Sequence, residues 1–202
     1  MRQICEIRKL TGGRYQVVLE DGSSFPLYAK ELAVYGIEEG SELSDQQYET
    51  ILQEVLIKRA RLKAMHLLET QDRTEFQLRT KLSALAYPEG IIEDAVSYVK
   101  KFHYLDDLRF AVHYIETRSS QKSMRQLEQE LQQKGVAREL LQLAKEQAEF
   151  PDEEQQVSAW LKKKRFDPNS ADKKEIERMY RFLLGKGYSC STISHVLRSE
   201  VL

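Results

Sequence analysis

Cysteine, glycine and proline are scarce in this sequence, with two, nine and four residues among 202. The low glycine and proline contents exclude collagen-like chains and low-complexity disorder, and they are typical of a mostly helical globular protein. Cys5 and Cys190 lie far apart in the sequence and form no CxxC pattern. We therefore expect two reduced thiols, with neither a redox pair nor a thiolate metal site.

Long apolar segments are also missing from the sequence. Every apolar run is far shorter than a membrane-spanning helix requires. Charged Glu6 and Arg8 follow closely on Met1, which leaves no apolar stretch for a secretory signal. We expect a cytoplasmic protein that has no membrane partner.

Charge of one sign is not in excess, because 31 basic residues are balanced by 32 acidic ones. This balance argues against a protein that binds nucleic acid through a global positive field. The four histidines show no i, i+4 pair with a carboxylate between them, which is the pattern of a helical zinc site. We interpret His66, His103, His113 and His195 as structural or surface residues and expect no metal and no cofactor.

A β-rich segment occupies residues 3–28. Its short apolar stretches are separated by Gly12-Gly13 and by Asp21-Gly22, and such pairs are typical of hairpins because the turns need positive φ. We predict a small antiparallel meander of two or three strands. A sheet of this size is marginal alone, and a short helix over Ala29 to Tyr35, closed by Gly36, is a candidate to support it.

Helical signals begin at Ser44 and continue along the rest of the chain. Residues 44–47, 74–77 and 123–126 each fit a capping box, in which a hydroxyl and a Gln side chain satisfy N–H groups of the first turn. Apolar residues then follow at helical spacing, and in the first long helix they are Tyr48, Ile51, Leu52, Val55, Leu56 and Leu62. Gly135 and Gly187 are placed for left-handed helix C-caps.

An internal repeat organises these helices. Three leucines each stand five residues before a second apolar anchor, and a third anchor follows after five more. The three sets are Leu82, Tyr87 and Ile92; Leu131, Val136 and Leu141; and Leu183, Tyr188 and Ile193. The sets are 49 and 52 residues apart, so we predict three consecutive three-helix repeats with no sheet between them.

The predicted fold class is mainly α, with a tandem array of three three-helix repeats after the small β meander. We place the segments at residues 1–43, 44–103, 104–150 and 151–202, with the last helix at residues 190–200. Arrays of this kind bury each repeat against the next, and we expect an elongated, curved molecule. Such surfaces bind macromolecules more often than they catalyse reactions.

The densest motif comprises Tyr104, Leu105, Asp106, Asp107, Arg109 and Phe110. Adjacent aspartates could hold magnesium or do acid–base catalysis. A structural role explains them better, because Asp106 fits a helix N-cap and Asp107 fits the first turn, where negative charge meets the helix dipole. Apart from His103, no histidine, serine or cysteine is close enough in sequence to suggest a catalytic partner, so we predict that the protein is not an enzyme.

At this motif the sequence resembles the RecX family of bacterial recombinase regulators. The family pattern Tyr-Leu-Asp-Asp-x-Arg-Phe-Ala is matched by residues 104–111, and its later Arg, Lys and Glu-Leu-x-x-Lys-Gly by Arg118, Lys122 and residues 130–135. Arg73 followed by Thr74 and the stretch 181–188 match further parts, so the resemblance covers about residues 50–202. Ala86 and His103 stand at turns where the family has glycine.

The resemblance implies a non-enzymatic protein that binds the RecA recombinase and its filament on single-stranded DNA. It also implies inhibition of the ATPase, strand-exchange and coprotease activities of RecA. We expect a monomer that gains avidity from several weak contacts, and weak direct contact with single-stranded or duplex DNA stays open. The alternative is a helical DNA-binding protein of helix-turn-helix type, which the near-neutral charge and the lack of a basic recognition helix disfavour.

Basic residues are the candidates for contacts with the partner. They fall into three groups near helix ends, which could form one stripe suited to acidic protein loops or to phosphates. The candidates are Lys58, Arg59, Arg61 and Lys63, with Arg73 nearby; Arg118, Lys122 and Arg125; and Lys162, Lys163, Lys164 and Arg165. For the last group, favourable charge at a helix C-terminus is an equally good explanation. The aromatics Tyr87, Phe102, Phe110, Trp160, Phe166 and Tyr188 have helical spacing, which predicts core positions.

Overall fold

A computed structural model describes residues 1–199 of the chain. The chain forms two compact units, Met1–Asp106 and Asp107–Leu202. Helices dominate both units, and a small antiparallel sheet lies in the first. The predicted fold class is thus confirmed, while residue 200 of the last predicted helix lies outside the described residues.

The sheet of the first unit has four strands in the order β3-β2-β1-β4. They are β1 (Arg2–Lys9), β2 (Arg14–Leu19), β3 (Ser24–Tyr28) and β4 (Glu42–Leu43). The meander predicted for residues 3–28 is confirmed with three strands. The sheet has a fourth strand from outside that segment, β4, which is only two residues long and pairs with Arg2 and Gln3. No alternation of apolar residues can reveal so short a strand. Helix α1 (Ala29–Tyr35) ends as predicted at Gly36, which has a φ of 63°.

The helices of the first unit follow the capping signals. Helix α2 (Asp45–Thr50) continues through a π-helical stretch, Ile51–Ile57, into α3 (Lys58–Thr70), and α4 (Glu75–Ser83) and α5 (Glu89–Lys101) follow. The capping boxes at Ser44 and Thr74 are confirmed. The core position predicted for Leu62 is wrong, since it is 66% exposed. The π-helical turns wind more loosely than an α-helix. The helix face that is buried before this stretch therefore does not continue to Leu62.

One hydrophobic core joins this sheet to these helices. Phe25 and Leu27 of the sheet belong to the same buried cluster as Ala60, Leu82 and Ile92. A guanidinium N–H of Arg14 on β2 also donates to the carbonyl oxygen of Leu85 at 2.7 Å. The boundary predicted between residues 43 and 44 therefore marks a change of secondary structure within one core.

The second unit comprises six helices within the described residues. They are α6 (Asp107–Arg118), α7 (Met124–Gln133), α8 (Arg138–Gln147), α9 (Glu153–Lys164), α10 (Lys173–Gly185) and α11 (Cys190–Ser199). One buried cluster belongs to α6–α8 and another to α9–α11. All nine anchors of the internal repeat are buried, so the three three-helix repeats are confirmed.

The N-terminus of α7 is bound to the C-terminal end of α10. Ser123 Oγ accepts from Gln126 N at 3.4 Å and donates to the Lys186 carbonyl at 2.7 Å. The side chain of Gln126 donates to the Gly185 carbonyl at 3.3 Å. The reciprocal capping box predicted here is therefore only half correct, because Gln126 is used to join two repeats. A Cβ on Gly187, which has a φ of 85°, would lie 2.6 Å from Ser123 Oγ, so glycine is needed there.

Most aromatic residues lie where their spacing predicts. Tyr87, Trp160 and Tyr188 are buried, and Phe110 and Phe166 are half-buried. Phe102 is the exception, since it is 49% exposed at the end of α5 and packs on the ring of Tyr98 at 4.9 Å. A position beyond the last full turn of a helix no longer follows the apolar face, which explains the wrong prediction for Phe102.

Candidate functional site

The first basic group lies on α3, where two of its members are bound within their own unit. Arg59 donates to both carboxylate oxygens of Glu31, at 2.9 and 3.0 Å, and to the Pro26 carbonyl at 2.6 Å. Arg61 forms two hydrogen bonds with Asp94, at 2.6 and 2.8 Å, which raise the pKa of its guanidinium. These arginines connect α3 to the sheet, to α1 and to α5. Their observed role is to hold the first unit together.

Other basic residues of the first unit also contact neighbouring groups. Lys58 forms an ion pair with Glu54 one turn earlier on the helix. Arg73 donates from Nε to the Leu67 carbonyl at 3.2 Å. Lys63 is half-buried on α3.

Two members of the second basic group, Lys122 and Arg118, act on the carboxylate of Glu130 on α7. Lys122 Nζ lies 2.5 Å from Glu130 Oε1, and the Tyr114 hydroxyl donates to Oε2 at 2.7 Å. Burial and the hydrogen bond to Glu130 raise the pKa of Tyr114 to about 12. Burial opposes ionisation of Glu130, but the hydrogen bonds from Lys122 and Tyr114 outweigh it and lower its pKa. Arg118 stacks on the Tyr114 ring at 3.9 Å, so a charged carboxylate is held within a basic environment.

The third basic group ends α9. Lys162, Lys163 and Lys164 lie in the last turn, and Arg165 is the C-cap with a left-handed φ of 51°. All four side chains are exposed. The charges therefore sit where the helix dipole favours them, and their exposure also leaves them accessible to a partner.

A cleft of about 440 Å³ brings members of the second and third groups together. We call it the Trp160 cleft. Its lining consists of Lys122, Lys163, Lys186, Glu130, Trp160 and the glutamines Gln121, Gln126, Gln129 and Gln133. The Nζ atoms of Lys163 and Lys186 lie 4.8 and 5.2 Å from the centre of the Trp160 ring. Both lysines therefore make cation–π contacts that hold positive charge at the cleft.

Sequence reasoning found Lys122 and Lys163 but missed Lys186. The sequence pattern predicts only a helix C-cap at this position, and Lys186 is the C-cap residue of α10. Its carbonyl accepts from Ser123, and this contact between repeats is what brings its side chain to the cleft. The sequence around a C-cap residue that lies between two buried anchors does not indicate that its side chain lines a cleft.

A second cleft of about 440 Å³ contains Lys164 and Arg165. We call it the Phe182 groove, because Phe182 lines it and also packs edge-on against Trp160 at 5.3 Å. Arg178 on α10 lines the groove as well. Arg118, Arg125 and Lys162 line neither cleft, so only part of the predicted stripe lies in these two concave surfaces.

The remaining predicted residues occupy local structural positions. Asp107 lies in the first turn of α6, as predicted, and Asp106 directly precedes that helix. Ala86 and His103 have left-handed φ values of 64° and 58°, as expected for turn positions where the family has glycine. Cys5 and Cys190 are free thiols at the surface. Among residues 1–199, no helix is long and apolar enough to cross a bilayer.

Comparisons with known proteins bear on the whole helical region. The models of the first, second and third RecX three-helix domains match residues 60–98, 106–144 and 152–197. The regulatory protein RecX of Vibrio campbellii is 34% identical over 139 residues, which cover 68% of this chain and 88% of that protein. The chain belongs to the RecX family. The two clefts thus lie on its second and third RecX domains.

Other RecX proteins extend the similarity to the N-terminal sheet. The regulatory protein RecX of Caldanaerobacter subterraneus subsp. tengcongensis is 27% identical over 192 residues, or 95% of each chain. A crystal structure of regulatory protein RecX has a TM-score of 0.61 at 23% identity and covers 97% of this chain and 98% of that one. RecX from Lactobacillus salivarius has a TM-score of 0.62 at 19% identity, covering 72% and 96%. The two structures agree with this chain in fold.

Proposed function

We propose that this RecX protein is a non-enzymatic regulator that binds the RecA recombinase and its filament on single-stranded DNA. By binding, it inhibits the ATPase, strand-exchange and coprotease activities of RecA. The observation that carries the proposal is the ordered match of all three RecX domains to three repeats whose anchors are all buried. We expect the protein to act as a monomer in the cytoplasm.

The Trp160 cleft and the adjoining basic surface of α9 are the proposed contact region. Three lysines there outnumber the single carboxylate, Glu130, which is already bound to Lys122. An acidic surface of RecA would pair with the positive charges of Lys163 and Lys186. Charge complementarity of this kind accelerates association and orients the two proteins. Arg59 and Arg61 are not part of this proposal, since both are bound within the first unit.

The direct test is a titration of RecA ATPase on single-stranded DNA with the full-length chain. We expect inhibition by the wild type and a shift to higher inhibitor concentration for the double variant Lys163→Glu and Lys186→Glu. Arg138→Glu is the matched control, because Arg138 is an exposed basic residue on α8 outside both clefts. Absence of inhibition by a folded wild-type chain would contradict the proposed function.

Binding to DNA alone separates the proposal from the helix-turn-helix alternative. A regulator of this kind needs the recombinase for tight binding. A DNA-binding protein would instead hold duplex DNA without RecA, and its affinity would fall steeply with salt as counterions are released. Fluorescence anisotropy of labelled duplex at several salt concentrations, with and without RecA, distinguishes the two.

A further inference from the structure

The Phe182 groove combines an apolar floor with a basic rim. Phe166 and Phe182 are half-buried and Met179 is 9% exposed, and all three line the groove. Lys164, Arg165 and Arg178 line it too, and each is exposed. The surface therefore offers both contact for an apolar side chain and three positive charges around it.

The carboxylate in this groove offsets only part of that charge. Glu175 closes the capping box of α10, where its Oε2 accepts from Asp172 N at 3.0 Å. Its other oxygen lies 3.9 Å from an Arg178 nitrogen, beyond hydrogen-bonding distance. Arg178 thus keeps its hydrogen-bonding capacity for another acceptor.

The backbone at Arg165 gives a second reason to assign a role to this groove. Its φ of 51° is a left-handed conformation at a helix C-cap, where glycine is the favoured residue. A long charged side chain there costs conformational free energy, and such costs are often retained at functional sites. The Arg165 side chain, whose presence carries this conformational cost, lines the groove.

We propose that the Phe182 groove binds a short acidic segment of the partner protein that carries one large apolar side chain. The apolar side chain packs on Phe166, Met179 and Phe182, while flanking carboxylates pair with Lys164, Arg165 and Arg178. Arginine forks bind carboxylates through two hydrogen bonds, which favours acidic residues beside the apolar one. The inference rests on the proposed function for the identity of the partner, and the groove itself defines the chemistry of the segment.

Two other occupants fit the groove less well. Single-stranded nucleic acid would need an exposed ring face on which to stack a base. Phe182 is half-buried, with Trp160 against it at 5.3 Å and Lys164 Nζ at 5.0 Å from its ring centre. A second copy of this chain, related by a two-fold axis, would bring the basic rim against itself.

The chain carries its own probe for the test, because Trp160 is the single tryptophan and contacts Phe182. We would titrate the full-length chain with a nonapeptide of Asp and Glu that has one central Phe, and follow Trp160 fluorescence. Two control peptides replace the Phe with Ser or the acids with Asn and Gln. We expect saturable binding of the first peptide, with affinity about tenfold lower for each control.

Two variants separate loss of binding from loss of folding. Arg178→Glu reverses a rim charge, and Arg165→Gly removes one while suiting the left-handed backbone. Both should weaken peptide binding about tenfold, and Arg165→Gly should do so without a lower urea midpoint. Arg138→Glu should bind the peptide as the wild type does.

Several results would overturn the inference. Equal affinity for all three peptides would mean that the groove has no preference for this chemistry. Anisotropy showing that a labelled oligo-dT binds and that Arg178→Glu weakens this binding, while the acidic peptide does not bind, would assign the groove to nucleic acid. Sedimentation showing a dimer that Arg178→Glu dissociates would assign it to a second copy. Inhibition of RecA without peptide binding would overturn this inference alone, whereas peptide binding without inhibition would contradict only the proposed function.

Discussion

Single residues in left-handed backbone conformations mark the ends of several helices in this protein. The turn before the second anchor of each repeat is occupied by Ala86, Gly135 and Gly187, with φ values of 64°, 85° and 85°. The three repeats therefore use the same turn geometry with two different residues. A Cβ makes the left-handed conformation unfavourable by roughly 1–2 kcal/mol, so the first repeat retains a cost that the other two avoid.

Exchanging the residues at equivalent turns should have opposite effects on stability. Ala86→Gly should raise the free energy of unfolding by up to about 1 kcal/mol, since the relief of strain exceeds the added entropy of the unfolded chain. Gly135→Ala should lower it by about 1 kcal/mol or more. Urea unfolding followed by circular dichroism measures both, and a shift of the same sign in the two variants would contradict this account of the turn.

The carboxylate of Glu130 should make the second unit sensitive to acid. Its pKa in the folded protein is lowered from an ordinary value of 4.5, because hydrogen bonds from Lys122 and Tyr114 outweigh the effect of burial. The stabilisation is thus present above pH 4.5 and is lost as the pH falls through the lowered pKa. The raised pKa of Tyr114, about 12, affects the alkaline side of the stability profile. There the free energy of unfolding falls as the pH rises from about 10 towards 12.

We therefore expect Glu130→Gln to flatten the acid side of the stability profile. The measurement is the urea midpoint of Trp160 fluorescence at a series of pH values below 5. Glu177→Gln, an exposed position on α10, serves as the control and should keep the wild-type slope. Parallel profiles for the wild type and Glu130→Gln would show that this carboxylate does not control acid stability.

At the scale of helices, one short junction joins the second repeat to the third. Ser123 is 1% exposed, and its hydroxyl both caps α7 and donates to the last turn of α10. Buried Gln156 on α9 donates to the Ser119 carbonyl at 2.6 Å in the same region. The hydroxyl of Ser123 thus serves both as the cap of α7 and as a contact between the second and third repeats.

Ser123→Ala should destabilise the second unit more than loss of an ordinary cap. Removing an N-cap costs about 1 kcal/mol, and leaving the part-buried Lys186 carbonyl without its donor adds about 1 kcal/mol or more. Asp172→Ala is the comparison, because it removes an exposed cap of α10 that has only the first cost. Equal losses in the two variants, measured by Trp160 fluorescence in urea, would refute the role of the junction.

The same junction shows what the sequence could reveal about helices and what it could not. Caps, glycines and anchors act over a few residues, so they predicted the helices and the three repeats correctly. Whether Gln126 closes its own capping box or reaches Gly185 depends on a helix about 60 residues away. The two-residue strand β4 and the π-helical stretch depend in the same way on neighbours that are distant in sequence or on small changes of winding.

At the scale of the whole molecule, the basic groups differ in what already neutralises them. Arg59 and Arg61 are each bound to a carboxylate within the first unit. Lys162 to Arg165 lie exposed at the end of α9. Composition alone could not distinguish these cases, because a positive charge on a helix has the same sequence pattern whether its partner is internal or external. Their assignment as partner-binding residues therefore stays a prediction for the second and third groups.

Charge changes in different groups should consequently separate stability from inhibition. Arg61→Glu should lower the melting temperature, because it leaves Asp94 facing a like charge. Arg125→Glu, and Lys162→Glu with Lys163→Glu, should instead weaken inhibition of RecA ATPase while changing unfolding little, since these side chains are exposed and exposed charges contribute little to folding. If each group is one contact of a multivalent ligand, combining these changes should cost more affinity than either set alone. Added salt should reproduce the loss in the wild type by screening the same charges. Unchanged half-inhibition in the combined variant would show that these lysines are solvated surface charges, and the contact with RecA would then have to involve the acidic or apolar faces of the repeats.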